Sequence, residues 1–135
     1  MLQRVLHAGV ILISFLLLTA LGGKGGFERA PRVEKNFAVT VTDVSGTIIQ
    51  GDKFSWDGRL HFSGYIGMAQ VTMPFEKIKE LTVGEVKERN VKVTAVLRDG
   101  TKTTFDIDAK IHCYGEASFG SFMLVMTEIK SIVFK

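Results

Sequence analysis

The amino-acid sequence predicts an all-β domain, a small sandwich or barrel built from two similar tandem β units at about residues 37–84 and 91–135. Three observations lead to this fold class. Residues 60–84 align without a gap with residues 111–135, apolar and polar residues alternate in several segments beyond residue 36, and no sustained helical period occurs there. Strands joined by short turns bury one face by closing into a barrel or by stacking two sheets.

The repeat also predicts the core. A few matched positions carry identical residues, namely His61/His112, Gly64/Gly115, Ile78/Ile129 and Lys79/Lys130. Matched apolar side chains should be buried in equivalent places related by an approximate twofold: Ile78/Ile129, Leu81/Ile132, Val71/Phe122 and Met73/Leu124. The two repeated lysines are expected to lie in solvent.

Residues 1–22 have the features of a secretory signal peptide. A short segment with Arg4 precedes an uncharged, mostly apolar run, and glycines follow. An uncleaved membrane anchor is the alternative, because the stretch from Val5 to Leu21 has 17 residues, the lower limit of the roughly 17–25 that span a bilayer. Residues 23–36, glycine-rich and then charged, are expected to form a flexible lead-in to a single β domain at 37–135.

The first unit opens with an alternating strand at 37–44. A hairpin is expected about Asp57-Gly58, since both residues tolerate the positive φ of a tight turn. The short strand at 71–75 contains Pro74, which predicts an edge or a strand end. A tight turn at 76–79 should then return the chain to the sheet at 81–83.

The second unit repeats this order with a clearer pattern. An alternating strand at 91–97 leads to the turn Asp99-Gly100 and a strand at 101–108. A strand at 111–114 follows, and the continuous apolar run at 122–126 predicts a strand buried on both faces. We therefore expect the strand at 122–126 to be more central in the sheet than its counterpart at 71–75.

Charge and cysteine content restrict the classes of partner and bond. The net charge of +3 is small, and lysines stand beside glutamates, as Lys77 does beside Glu76. Nucleic-acid-binding proteins concentrate their cations on one face, so no nucleic-acid partner is expected. Cys113 is the single cysteine, which excludes an internal disulfide, and its match with Phe62 in the repeat predicts a buried thiol.

Two pairs of residues are candidates for a metal or ligand site. His61 and His112 are equivalent in the repeat, and a twofold could join two imidazoles suited to zinc or copper, but no third ligand stands at a recognisable spacing. Asp106 and Asp108 share one face of a strand, about 6–7 Å apart along it, and could hold calcium or form an acid–base pair. Ordinary surface histidines and a polar strand face also explain these residues.

Three aromatic residues, Trp56, Tyr65 and Tyr114, are candidates for an exposed interaction rim, because aromatic side chains near loop ends often anchor partners. They could equally cap a small core. The matched small-residue loops at 64–69 and 115–120 are the place where a ligand or partner is expected.

No complete catalytic constellation accompanies the duplicated scaffold. We therefore expect an exported, non-enzymatic β module without a cofactor, periplasmic or secreted, acting in the envelope or at the surface through a protein partner. Membrane contact is expected only through the N-terminal segment, where that segment stays uncleaved. The alternative is a periplasmic enzyme or binding protein for a small ligand or metal, using His61, His112, Asp106 and Asp108.

Overall fold

The computed structural model describes residues 27–135; the predicted signal segment 1–22 lies outside the described residues. Two short 3-10 turns, Phe75–Lys77 and Met126–Glu128, interrupt an otherwise all-strand chain. The ten strands are β1 Val39–Asp43, β2 Ile48–Trp56, β3 His61–Ile66, β4 Ala69–Pro74, β5 Ile78–Lys87, β6 Asn90–Leu97, β7 Lys102–Asp108, β8 His112–Ala117, β9 Gly120–Val125 and β10 Ile129–Phe134.

All ten strands belong to one antiparallel sheet in the order β4-β3-β7-β6-β5-β10-β1-β2-β8-β9. The sheet curls into a half-barrel around one hydrophobic core, and the all-β prediction is confirmed. Within residues 27–135 no helix has the length and apolar character needed to cross a membrane.

The sheet has an internal twofold. Replacing each strand by the one five places along the chain reverses the sheet order, so β1–β5 and β6–β10 are equivalent. The axis passes between β5 and β10, where Leu81 pairs directly with Ile132, its match in the sequence repeat. The predicted duplication therefore corresponds to the symmetry of the fold.

The two units exchange hairpins across this axis. The β3–β4 hairpin of the first unit lies against β7 of the second, and the β8–β9 hairpin of the second lies against β2 of the first. Each unit consequently completes its part of the sheet only with strands of the other.

Five of the eight residues in the predicted core pairs are buried. Ile78, Ile129, Leu81, Ile132 and Phe122 are inaccessible or nearly so. Three further members are partly buried and pack against this core: Val71, Met73 and Leu124. Lys79 and Lys130 are exposed, as expected, because each directly follows an inward-facing isoleucine and adjacent residues of a strand point to opposite faces.

The two halves of the core differ in chemistry. In one half, the ring of Phe75 lies 5.0 Å from those of Phe62 and Phe134 and 5.5 Å from that of Phe54, centroid to centroid. In the other half Cys113 and Met126 occupy the positions equivalent to Phe62 and Phe75, with their sulfur atoms 3.4 Å apart. The halves thus share a backbone plan but not a side-chain packing.

Two hairpin turns illustrate how the repeat is built. Gly46 and Gly100 lie at equivalent points with φ of 91° and 92°. Asp43 accepts hydrogen bonds from Ser45 and Thr47, and Asp99 accepts them from Thr101. The side-chain bond from Ser45 and the one from Thr101 hold the pKa of the respective carboxyl below its usual value. The turn predicted at Asp99-Gly100 is confirmed.

Two details of the predicted strand arrangement are wrong. The Asp57-Gly58 turn forms, but its hairpin is a single bridge, Trp56 with Arg59, because β3 leaves β2 and pairs with β7. The apolar strand β9 is not central; it ends the sheet. On the outer face of β9, Met123 is partly exposed and Ser121 is covered by residues that precede β1. The apolar run of this strand therefore does not require a paired strand along each of its two edges.

Candidate functional site

The tips of the two exchanged hairpins expose large apolar side chains. Met68 is 98% exposed in the turn between β3 and β4, and Phe119, its match in the repeat, is 70% exposed between β8 and β9. Tyr65 and Ile66, at the end of β3, are exposed beside Met68. These tips lie in the matched loops where the sequence predicted a binding surface. Exposed apolar side chains clustered at one place commonly mark an interaction site.

The strands next to these tips have an unpaired edge. β4 and β9 end the sheet on either side, so each pairs with a neighbour along one edge alone. Neither strand contains a charged residue, and Pro74 at the end of β4 is the only proline in the two. Charges and prolines usually prevent an edge strand from pairing with another chain. With Pro74 as their one residue of this kind, β4 and β9 can pair with an added strand along most of their length.

Trp56 does not belong to an exposed rim; of the two positions that the sequence left open for it, the structure shows the one in the core. Its side chain is 3% exposed and packs edge-on against Phe62, with ring centroids 6.0 Å apart. Strand alternation explains its position, because Phe54 and Trp56 lie on the same face of β2 and both are in the core, while Ser55 between them is buried on the other face. The Arg59 guanidinium, 5.9 Å from the indole centroid, covers it from the turn.

The two tyrosines occupy different environments at opposite ends of the sheet. Tyr65 is 52% exposed, and its backbone pairs with that of Asp106. Tyr114, on β8, is half-buried between Phe27 and His112, with ring centroids 5.7 Å and 6.1 Å away. Only Tyr65 is therefore available at a hairpin tip.

His61 and His112 begin β3 and β8, and six other strands lie between these two in the sheet. Within residues 27–135 there is no group of three or more histidine, cysteine, aspartate or glutamate side chains placed to hold a metal ion. The twofold relates the two histidines but puts them in separate parts of the sheet.

The acidic pair lies on the outer face of β7, since Phe105 and Ile107 face the core. Asp106 pairs across the sheet with Lys92 on one side and with Tyr65 on the other. Asp108 accepts a hydrogen bond from the backbone N–H of Lys110 at 2.8 Å, which stabilises the turn into β8. A turn role accounts for Asp108, and Asp106 belongs to a mixed polar face.

Residues 27–36, the described part of the lead-in predicted at 23–36, lie against the outer face of the sheet and are called the strap below. The backbone N–H of Ala30 donates to Ser121 Oγ at 3.0 Å, and Phe27 packs on Tyr114. At the other end of the strap, Asn36 Oδ1 accepts a hydrogen bond from the backbone N–H of Lys53 at 2.6 Å. The strap covers part of β2, β8 and β9.

A cavity of about 300 Å³ lies between the strap and the sheet. Its lining includes three cationic side chains and one carboxylate, contributed by Arg29, Arg32, Lys53 and Glu116. Sequence reasoning missed this site, because Lys53 and Glu116 are distant from the strap along the chain and only the β2–β8 pairing brings them together.

The predicted burial of Cys113 is confirmed, and it determines how the thiol reacts. The side chain is fully buried, and burial raises its pKa above the usual range, because the thiolate would lose its hydration.

We expect the native protein not to react with a thiol-specific chromogenic reagent at pH 8, since the thiolate is the reactive form. Reaction should follow unfolding in guanidinium chloride. Met68→Cys, at the exposed tip, provides the control and should be labelled at once in the native state. Labelling of Cys113 in the native protein as fast as labelling of the Met68→Cys variant would contradict the burial of Cys113.

Residues 33–135 match the model of a protein family described as "Uncharacterised protein", and the chain belongs to that family. Comparison with curated proteins and with solved structures gave no significant match.

Proposed function

We propose that this protein is an exported, non-enzymatic β module of the cell envelope or surface, which binds a partner protein through its two exchanged hairpins. The observation that carries the proposal is the exposure of Met68 and Phe119 at equivalent tips. Leaving such side chains in water gains nothing for the fold, whereas burying one in a partner contributes about 1.5–3 kcal/mol.

The open edges of β4 and β9 support the same conclusion. A partner segment in extended conformation can pair with an edge strand through backbone hydrogen bonds, while side-chain pockets provide specificity. Each hairpin offers an uncharged edge and an apolar tip together. A partner could therefore add a strand and bury the tip in one contact.

The proposed mode of action requires no cofactor. His61 and His112 stay in separate parts of the sheet, and Asp108 is engaged in a turn. Stoichiometric zinc, copper or calcium in the purified protein would favour the alternative ligand-binding function over this one.

Cross-linking in cells tests the hairpin contact. A photoreactive amino acid at position 68 or 119 should yield a discrete adduct with one protein, because both tips would be buried in the partner. The same residue at position 79, which is exposed on β5, is the control and should give none. Tyr65→Ser with Ile66→Ser should reduce the adduct formed at position 68. Adducts with lipid alone, from a folded protein, would overturn the proposal.

Export is tested separately. The signal segment predicts a mature N-terminus near residues 22–26 and a location in the periplasm or outside the cell. N-terminal sequencing of the protein from fractionated cells measures this. An intact Met1 in the membrane fraction would replace cleavage with the anchor, and a full-length protein in the cytosol would contradict export.

A further inference from the structure

The strap and a bulge in β2 break the internal twofold. Eight positions separate Gly46 from Phe54 in the first unit, but five separate the equivalent Gly100 and Phe105. One of these three extra residues forms the register shift between Asp52 and Ser55. The strap has no equivalent either, because the segment that precedes β6 is β5 itself. Duplication therefore explains the scaffold but neither of these additions.

Both additions contribute to one site. The strap provides Arg29 and Arg32 to the 300 Å³ cavity, the bulge provides Lys53, and β8 provides Glu116. Within residues 27–135 Lys35 and Glu76 form the one ion pair, so no carboxylate lies within ion-pair distance of the three cations. Four charged side chains thus leave a net charge of +2 around one concave space.

The backbone at Lys53 is strained. Its φ of 54° lies in the left-handed region, which residues other than glycine adopt at a cost. The Asn36 side chain of the strap stabilises this conformation by accepting the Lys53 N–H. Strain of this kind persists where the surrounding structure holds it, and it is frequent at binding sites.

We propose that this cavity binds a phosphate-type dianion. A phosphate monoester carries about −1.5 to −2 charges near pH 7, which balances the +2 of the cavity, whereas one carboxylate would leave half of that charge uncompensated. Guanidinium groups donate paired N–H bonds to phosphate oxygens, and a concave site strengthens the attraction. This site is distinct from the hairpin tips, and the inference does not depend on the function proposed for them.

The phosphate could be free or part of a lipid headgroup, because the strap directly follows the apolar N-terminal segment in the sequence. Both sources offer the same chemistry to the three cations. Inorganic phosphate, vesicles of phosphatidylcholine with phosphatidic acid, and vesicles of phosphatidylcholine alone distinguish them.

NMR titration of the isotope-labelled full-length protein with inorganic phosphate in low salt tests the site. Backbone amide signals of Ala30, Val33 and Lys53 should shift with one saturable dissociation constant. Arg29→Gln with Arg32→Gln should weaken binding at least about tenfold, since two charge-assisted hydrogen-bond donors are lost. Lys79→Gln with Lys130→Gln removes the same charge elsewhere on the surface and should leave the dissociation constant unchanged.

Glu116→Gln provides the sharper test, because it should tighten binding by about threefold or more through removal of the one negative charge. Binding to phosphatidic acid vesicles but not to phosphatidylcholine would assign the phosphate to a lipid. The proposal fails if phosphate shifts many surface signals without saturation. It also fails if the folded arginine variant binds as tightly as the control, or if Glu116→Gln weakens binding.

Discussion

Replacing Phe75 by alanine should lower the free energy of unfolding by about 3–5 kcal/mol. The ring is fully buried and lies within 5.5 Å, centroid to centroid, of the rings of Phe37, Phe54, Phe62 and Phe134. Its removal forfeits the buried apolar surface and leaves a cavity between β2, β3 and β10 that rigid strands cannot close. Because a domain commonly has about 5–15 kcal/mol in total, chemical denaturation should show a large loss.

Two variants serve as controls for this prediction. Phe119→Ala removes the same side chain from an exposed hairpin tip and should change stability by about 0.5 kcal/mol or less. Met126→Ala, at the twofold equivalent of Phe75, should cost about 2–5 kcal/mol, since that residue is also fully buried. If Phe119→Ala destabilises the protein more than Phe75→Ala does, the aromatic cluster is not the main support of the fold.

Gly64→Ala should cost about 3 kcal/mol or more, at the upper end of overpacking effects. A Cβ at this position would contact the backbone carbonyl oxygen of Asp106 and lie 2.8 Å from Ile107 Cγ2. The obstacle is mainly backbone of the paired strand β7, which cannot move aside without breaking the contact between β3 and β7. Hydrogen exchange should accordingly show faster exchange at the amides of β3 and β4 than at those of β5 and β10.

The repeat offers a matched control in Gly115→Ala. There the added methyl group would meet the ring of Phe122, 2.7 Å from one ring carbon. A side chain on an edge strand can rotate or shift more easily than a paired backbone, so the loss of stability should be smaller. Equal stability of Gly64→Ala and the wild-type protein would contradict the close approach of β3 to β7.

The fold class could be predicted because the relevant signals are local. Alternation along 91–97, the turn at Asp99-Gly100 and the gap-free repeat are all readable over short stretches, and the structure bears them out. The pairing of β3 with β7 was not predictable in this way. It joins strands some forty residues apart, and the turn at Asp57-Gly58 suggested the shorter connection to β2.

The candidate sites could be predicted only in part. The sequence repeat identified the matched loops at 64–69 and 115–120. A repeat locates equivalent positions even where the residues at those positions differ. The position of Trp56, which is in the core, stayed open because an aromatic residue beside a turn has no local feature that separates a core position from a rim. The cavity under the strap escaped prediction because its residues come from three separate segments, brought together by a long-range contact.

The pairing of β1 with β10 also bears on the order in which the chain is made. β10 is the last of the ten strands to leave the ribosome, yet it lies between β5 and β1, and Val39 in β1 pairs with Phe134. The backbone hydrogen bonds along one edge of β1 therefore cannot form until β10 has been synthesised. Topologies with such distant contacts fold slowly. Assembly of the complete ten-stranded sheet is therefore expected only after β10 has been synthesised.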